Sequence, residues 1–181
     1  LDYCESMAFS DKTASLYQHG KKAVDLVLTR MGVHGLPLIG KGDWNDGLDR
    51  VGHLGKGESV WLGFFLYDVL NKFAGVADQQ ADAETAKKYR AAAVTLKANL
   101  EKHGWDNGHY ARAYADDGQK VDFNDAIVQS WAVLSGAASD DHAVAAVASA
   151  VHDLYDPDAK TILLFDKVLD KESWGGSIAA K

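Results

Sequence analysis

The sequence contains one cysteine, two prolines and no long apolar run among its 181 residues. A lone cysteine, Cys4, can form neither an intrachain disulfide nor a thiolate metal cluster, which suits a reducing compartment. The longest apolar run, from Val60 to Tyr67, is about half the roughly 20 residues that a transmembrane helix needs. No basic segment followed by an apolar stretch marks a signal peptide. These absences argue against a disulfide-rich secreted domain and against a membrane span.

The charge is also one-sided, with 26 acidic and 19 basic residues and a formal net charge of −7. An acidic domain does not favour nucleic acid or anionic membranes as partners. Seven histidines are present, but no His-x-His or His-x3-His pair occurs, so we predict no metal site. Hydrophobic residues make up 47% of the chain and charged residues 25%, close to the globular average, which argues against intrinsic disorder.

Apolar spacing predicts five helices and therefore a mostly α fold. The predicted helices cover residues 11–31, 58–73, 78–103, 125–136 and about 140–155. Between the third and fourth helices, HYARAY alternates in polarity and an Ala-Asp-Asp-Gly turn follows at 115–118, so a short hairpin is predicted within 105–121. The sequence shows no βαβ alternation, GxGxxG motif, P-loop or internal repeat.

Residues 32–57 predict a long loop, because eight of the 17 glycines and one of the two prolines fall there. Long loops in compact domains are usually functional or disordered. This one carries Leu, Ile, Trp and Val residues, which favours an ordered loop packed on a scaffold.

The loop contains two carboxylates three positions apart, with an indole and an amide between them. These residues are Asp43, Trp44, Asn45 and Asp46, flanked by Gly42 and Gly47 and followed by Arg50, Glu58 and Trp61. A carboxylic acid can protonate a glycosidic oxygen, an indole can stack on a sugar ring, and the other side chains can bind hydroxyls. The same residue types also suit a structural turn or a calcium loop, although the EF-hand spacing is not met. The residues alone leave these three interpretations open.

The order of motifs resembles that of a known enzyme family. HGLPLIGKGDWNDGLDRVGHLGKGESVWLGFFL, at residues 34–66, is similar to the catalytic-acid segment of the inverting glycoside phosphorylases, which include cellobiose and chitobiose phosphorylases. The similarity is strongest to the phosphorylase-like C-terminal part of cyclic β-1,2-glucan synthases and to 1,2-β-oligoglucan phosphorylases. RAYADDGQ at 112–119 and QSWAVLSG at 129–136 follow in the family's order.

This resemblance implies an (α/α)6 toroid that cleaves a β-glucosidic bond with inorganic phosphate and releases an α-sugar 1-phosphate. It implies that Asp46 is the general acid and that Trp44 lines the donor-sugar subsite. It extends more weakly to Asp43, Asn45, Arg50, Glu58 and Trp61 as sugar-binding or loop-ordering residues. Phosphate is the co-substrate, and no cofactor or metal is expected. Asp46 must stay protonated near neutral pH, and Asp43 or Glu58 could raise its pKa.

A complete toroid of twelve helices would need well over 300 residues, so 181 residues supply about half of one. The chain also begins at Leu1, and it lacks the family's Tyr-Thr-His and Thr-Gly-Ser/Thr phosphate-binding motifs. We therefore expect residues 1–181 to be a fragment of one catalytic domain, with no complete second domain and with poor phosphate affinity alone. Its partners would be a β-glucan or oligosaccharide, the rest of the parent domain and, through exposed apolar faces, a second copy.

Two alternatives to phosphorolysis remain open for the function. An inverting hydrolase on a similar toroid would need a second carboxylate, for which Glu58 is the candidate, about 6.5–9.5 Å from Asp46. A noncatalytic carbohydrate-binding module would need the tryptophans but not Asp46. For the cellular location, the resemblance implies either that the parent protein is cytoplasmic or that this part is a soluble domain of a bacterial inner-membrane protein.

Other polar and aromatic residues favour structural roles. A strip within the predicted hairpin, formed by Trp105, His109, Tyr110, Arg112 and Tyr114, is better explained as a packed hairpin than as an acceptor subsite. His34 and His53 flank the DWND segment and are expected to be structural, and Trp131 is expected to lie in the core.

Overall fold

The computed structural model describes residues 12–42, 44 and 46–167. This part of the chain contains five α-helices, which confirms the mostly α prediction. The helices are α1 Leu16–Leu28, α2 Val60–Gln79, α3 Ala83–Asn99, α4 Ala126–Leu134 and α5 Asp140–Leu154. A π-helical turn, Leu100–Gly104, continues α3.

The predicted boundary between the second and third helices was wrong. The second helix was predicted to end at 73 and the third to begin at 78, whereas α2 continues to Gln79 and α3 begins at Ala83. The side chain of Asp82 sets the start of α3, since it accepts hydrogen bonds from the N–H and the hydroxyl of Thr85 at 3.1 and 2.8 Å. The first helix is also shorter than the predicted 11–31, because Ser15 and Gln18 form a capping box at its start.

Helix α2 lies at the centre of the helical layer and packs against both α3 and α4, while α4 packs against α5. Its core side chains include Phe64 and Leu70, which are fully buried in one cluster with Tyr89 of α3 and Val128 of α4. By length and composition α2 is also apolar enough to cross a membrane, with 39% of its most apolar stretch buried. A single such helix is weak support for a span, because core helices of soluble proteins pass the same test.

Short strands connect the helices. They are β1 Glu58–Ser59, β2 Trp105–Asp106, β3 His109–Tyr110, β4 Ala113–Tyr114, β5 Lys120–Val121, β6 Tyr155–Asp156 and β7 Thr161–Ile162. Strands β1, β4 and β5 form an antiparallel sheet in the order β1-β4-β5, and the other four form two separate antiparallel pairs. This sheet joins the end of the 32–57 loop to the region of the predicted hairpin.

The single hairpin predicted within 105–121 is in fact two hairpins in succession. Strands β2 and β3 are joined by Asn107 and Gly108, both with positive φ, which is the turn sequence typical of two-residue hairpins. Strands β4 and β5 are joined by the predicted 115–118 turn, where the N–H of Gly118 donates to the carbonyl of Ala115 at 2.9 Å. The Asn-Gly pair was a signal that the sequence analysis missed.

Candidate functional site: the loop that carries the DWND segment

The two ends of the loop are joined to each other at a neck formed by residues 37–39 and 57–59. The N–H of Ile39 donates to the carbonyl of Gly57, and the N–H of Ser59 donates to the carbonyl of Pro37, both at 2.9 Å. An antiparallel bridge pairs Leu38 with Glu58 between them. Because Glu58 and Ser59 form β1, the neck is continuous with the β1-β4-β5 sheet.

Glu58 is a buried carboxylate that orders the first turn of the loop. It is 1% exposed. Its Oε1 accepts the N–H groups of His34 and Leu36 at 3.0 and 3.1 Å, and its Oε2 lies 2.5 Å from Nδ1 of His34. Of the roles considered for Glu58, the geometry of the described residues corresponds to loop ordering.

The glycines of this turn allow the close approach. A Cβ at Gly32 would lie 2.3 Å from both Cγ and Cδ of Glu58, so any larger residue would displace the carboxylate. Gly35 has a φ of +67°, which favours glycine, and its carbonyl accepts a hydrogen bond from Nδ2 of Asn99 at 3.1 Å. The entry of the loop is therefore tied both to β1 and to the end of α3.

A second carboxylate, Asp116, orders the last turn of the loop. Its oxygens accept the N–H groups of Leu54, Lys56 and Gly57 at 2.8, 2.8 and 2.9 Å. Burial alone would raise the pKa of Asp116, but the three backbone donors and nearby His53 outweigh it and hold the pKa below its usual range. Two acidic side chains thus supply the hydrogen-bond acceptors that regular secondary structure would otherwise provide.

Apolar side chains anchor the middle of the loop. Ile39, Leu48 and Val51 are buried in a cluster with residues of β4, β5 and the segment that follows, which we call the loop–sheet cluster. The other buried members are Ala113, Ala115, Val121 and Phe123. Asp46 begins a 3-10 turn, Asp46–Leu48, so Leu48 attaches this turn to the sheet.

Trp44 and Trp61, two of the predicted sugar-binding residues, lie side by side. Trp44 is 58% exposed, and its ring centroid is 6.3 Å from that of Trp61 at an interplanar angle of 49°. Trp61 stacks on Phe65, whose ring meets Trp131 edge-on at 5.2 Å. The buried Nε1 of Trp61 has no hydrogen-bond acceptor among the described residues. The DWND segment therefore presents an exposed indole at one end of an aromatic row.

The other predicted site residues are less well defined by the structure. Arg50 is exposed, and its carbonyl contacts Nδ1 of His53 at 2.6 Å. Asp43 and Asn45 lie outside the described residues, and of Asp46 only the backbone position is described. The structure thus brings Trp44 and Trp61 together and places Glu58 in the neck.

An arginine that sequence reasoning assigned to a packed hairpin is part of a buried polar cluster beneath the loop. Arg112 is 1% exposed and its Nε lies 2.7 Å from Oδ2 of Asp125, which is 2% exposed. Its NH1 group donates to Oγ of Ser59 at 3.3 Å. The N-cap position of Asp125 before a predicted helix was a readable signal, whereas nothing in the sequence marks Arg112 as buried.

A cavity of about 520 Å³ opens beside the neck, between the first and last turns of the loop. His34 and Tyr114 stack there with ring centroids 3.8 Å apart, and burial raises the pKa of Tyr114. Glu58 and Asp116 also line it, but their oxygens are occupied by backbone donors of the loop. Among the described residues, no group of three His, Cys, Asp or Glu side chains could hold a metal ion.

The sequence model of the glycosyl hydrolase 94 superfamily catalytic domain matches residues 2–169. The chain is 37% identical over 168 residues to the cyclic beta-(1,2)-glucan synthase NdvB of Rhizobium meliloti, covering 89% of this chain and 6% of that protein. It is 36% identical over 148 residues to the solabiose phosphorylase of Paenibacillus borealis, covering 77% of this chain and 19% of that one. The chain therefore spans less than a fifth of the length of these relatives.

A third relative and one solved structure agree with this match. The chain is 36% identical over 132 residues to the cellobionic acid phosphorylase of Neurospora crassa, covering 69% of this chain and 17% of that protein. The fold is similar to that of a GH78 family rhamnosidase of Bacillus sp. GL1, with a TM-score of 0.67 and 18% identity over 82% of this chain and 15% of that one. At this identity the similarity concerns the fold alone.

Proposed function

Because the chain belongs to the glycosyl hydrolase 94 superfamily, we propose that it forms part of a catalytic domain that phosphorolyses β-glucosidic bonds with inversion. The complete domain would be an (α/α)6 toroid. Its consecutive hairpins would include α2–α3 and α4–α5, and residues 1–181 would be one fragment of it. The named phosphorylases among its relatives support this reaction class.

In the proposed mechanism, the carboxylic acid of Asp46 donates its proton to the glycosidic oxygen while the bond to the anomeric carbon breaks. An oxygen of inorganic phosphate attacks that carbon from the opposite face. The products are an α-sugar 1-phosphate and the shortened glucan, whose new hydroxyl carries the proton. Phosphate is already an anionic nucleophile, so the reaction needs no second carboxylate as base.

The observation that carries this proposal is the exposed indole of Trp44 beside Trp61. Trp44 is 58% exposed, and its ring lies 6.3 Å from that of Trp61. An indole face of this kind can stack on the apolar face of a pyranose ring. Because Asp46 follows two residues later in the turn held by Leu48, a sugar stacked on Trp44 would lie close to the proposed acid.

A β-1,2-linked glucan or oligoglucan is the proposed substrate. The support is the 37% identity to a cyclic beta-(1,2)-glucan synthase over 89% of this chain. The phosphate-binding groups would come from the rest of the parent domain, with which this chain shares an interface. Val144, Val147 and Val151 form an exposed apolar stripe on α5 and are candidates for that contact.

Inverting hydrolysis is the second candidate, and the environment of Glu58 argues against it. Hydrolysis needs a carboxylate free to activate water on the face opposite the acid. Glu58 was the candidate base, but it is 1% exposed and accepts hydrogen bonds from two N–H groups while contacting the His34 ring. Using it as a base would require breaking the contacts that hold the loop.

The test uses the full-length protein that contains this chain, supplied with β-1,2-glucooligosaccharides with and without phosphate. We expect release of glucose 1-phosphate that depends on phosphate and is abolished by Asp46→Asn, with substrate binding retained. Release of free glucose without phosphate would support hydrolysis instead. Wild-type activity in Asp46→Asn would exclude Asp46 as the acid, and binding without turnover would indicate a noncatalytic module.

A further inference from the structure

The largest fully buried side chain among the described residues belongs to Arg112, between β3 and β4. Its guanidinium contacts the buried carboxylate of Asp125 at 2.7 Å and the hydroxyl of Ser59 at 3.3 Å. Burying an ion pair removes two charges from water, and the pair seldom adds net stability compared with apolar residues of similar size. The presence of a buried pair here therefore suggests a role other than stability.

Trp44 of the DWND segment is anchored near this arginine. Trp44 contacts Trp61, with ring centroids 6.3 Å apart. Trp61 directly follows Val60, whose N–H donates to the carbonyl of Arg112 at 3.2 Å. Trp44 thus contacts Trp61, whose preceding residue is hydrogen-bonded to the backbone of Arg112.

The Asp46–Leu48 turn is anchored through a residue on the other side of the same arginine. Leu48 is buried in the loop–sheet cluster with Ala113 and Val121. Ala113 directly follows Arg112, whose own N–H donates to the carbonyl of Val121 at 3.0 Å. Trp44 and Leu48 therefore each contact a residue that is linked through the backbone to Arg112.

Asp125 connects this arrangement to the helical layer. Its side chain caps α4 by accepting the N–H of Ile127 at 2.8 Å, and its backbone forms an antiparallel bridge with Phe165. The ion pair and the Ser59 hydroxyl thus join β1, the start of β4 and the start of α4 at one buried point beneath the loop.

We propose that the Arg112–Asp125 ion pair positions Trp44 and the Asp46–Leu48 turn, so that Arg112 is a positioning residue for the phosphorolysis proposed above. The inference rests on that proposed function. A guanidinium holds its donors in one rigid plane, which an ammonium on a flexible stem does not reproduce.

The first test is Arg112→Lys in the full-length protein, which keeps the charge but loses the rigid plane. We expect kcat to fall about 10- to 100-fold with little change in KM for phosphate or oligosaccharide, because a displacement of about 1 Å at the reacting groups costs on that order. The matched control is Arg90→Lys, since Arg90 pairs with Asp78 on the exposed surface of α2 and α3. The control should keep the wild-type kcat.

The second test keeps the protein folded while removing both charges. Arg112→Met combined with Asp125→Asn removes both charges and keeps a side-chain oxygen that can still cap α4. We expect a cooperative melting transition but a similar loss of kcat. Hydrogen exchange of peptides covering 42–50 should accelerate in both variants, while peptides covering 86–96 of α3 should be unchanged.

The outcomes separate this inference from the proposed function. Absence of phosphate-dependent release by the wild type, or full activity of Asp46→Asn, would reject the proposed function. If those two proteins behave as expected but the double variant keeps the wild-type kcat, or exchange at 42–50 is unchanged in both variants, the positioning role is overturned. Loss of kcat together with local acceleration of exchange supports it.

Discussion

Acidic side chains are used in two different ways in the loop and in the helical layer. In the loop, Glu58 and Asp116 are buried and accept hydrogen bonds mostly from backbone N–H groups. On the helices, Asp78 and Asp25 are partly exposed and pair with Arg90 and Lys88. The helical backbone satisfies its own hydrogen bonds, whereas the loop backbone depends on these carboxylates. Loss of a carboxylate should therefore matter far more in the loop.

The largest effect is expected for Glu58→Gln. The amide can still accept through one oxygen, but its NH2 group faces donors that then lack an acceptor. We expect the free energy of local opening at the amides of His34 and Leu36 to fall by about 3 kcal/mol, as measured by native-state hydrogen exchange. Glu84→Gln, on the exposed first turn of α3, is the control and should leave both amides unchanged. Equal protection in the two variants would contradict the assigned role of Glu58.

Gly32→Ala tests the same contact from the opposite side. The added Cβ would lie 2.3 Å from Cγ and Cδ of Glu58, so the carboxylate must shift. We expect the free energy of unfolding to fall by about 2 kcal/mol, because overpacking of this kind typically costs 1–3 kcal/mol. The control is Gly75→Ala in α2, where the Cβ meets no atom within 4 Å and should stabilise the helix slightly. An unchanged free energy of unfolding in Gly32→Ala would show that the neck adapts to the added methyl group.

Asp116→Asn should lower the free energy of unfolding by about 1.5 kcal/mol near neutral pH. The variant replaces one carboxylate oxygen by an NH2 group, which cannot accept a backbone N–H, and it removes the charge that strengthens the hydrogen bonds to the three backbone donors. The pKa of Asp116 is lowered in the folded chain, so the stabilisation from its charge is present above the ordinary pKa near 4 and is lost as pH falls through the lowered value. The difference in melting temperature between the wild type and the variant should therefore stay constant above about pH 5 and become smaller in more acidic buffer. A difference in melting temperature that does not change with pH would show that the charge of Asp116 does not contribute to stability.

The smallest effect is expected for Asp78→Asn on the helical surface. The Arg90–Asp78 pair has side chains 53% and 48% exposed, and exposed pairs contribute little because water screens them. The melting temperature should change less than in any loop variant, and the remaining difference should vanish in about 1 M salt. A change as large as that of Asp116→Asn would remove the distinction between the two regions.

The helices could be predicted from the sequence because their apolar spacing reflects direct burial. Leu70 and Tyr89, for example, lie in predicted helices and are fully buried. The boundary between α2 and α3 could not be placed, because it depends on Asp82 as a cap and on Ala81 with a φ of +57°. A positive φ at alanine is unusual and has no sequence signal.

The residue types of the candidate site could also be predicted, but their division of labour could not. Trp44 and Trp61 were grouped by proximity in the sequence and by resemblance, and their rings do lie together. Glu58 was grouped with them, yet its partners are backbone N–H groups, which no side-chain pattern reveals. Arg112 was missed as a buried residue because arginine is ordinarily exposed, and its partner Asp125 lies 13 positions away.

The bridge between Leu38 and Glu58 also has an evolutionary consequence. Because the loop leaves and re-enters the fold at adjacent backbone positions, the helices do not constrain how many residues lie between those positions. Doubling the length of such a segment costs only about 0.6 kcal/mol in closure entropy. Insertions and deletions beyond the bridge can thus change the surface that the loop presents while the scaffold remains unchanged.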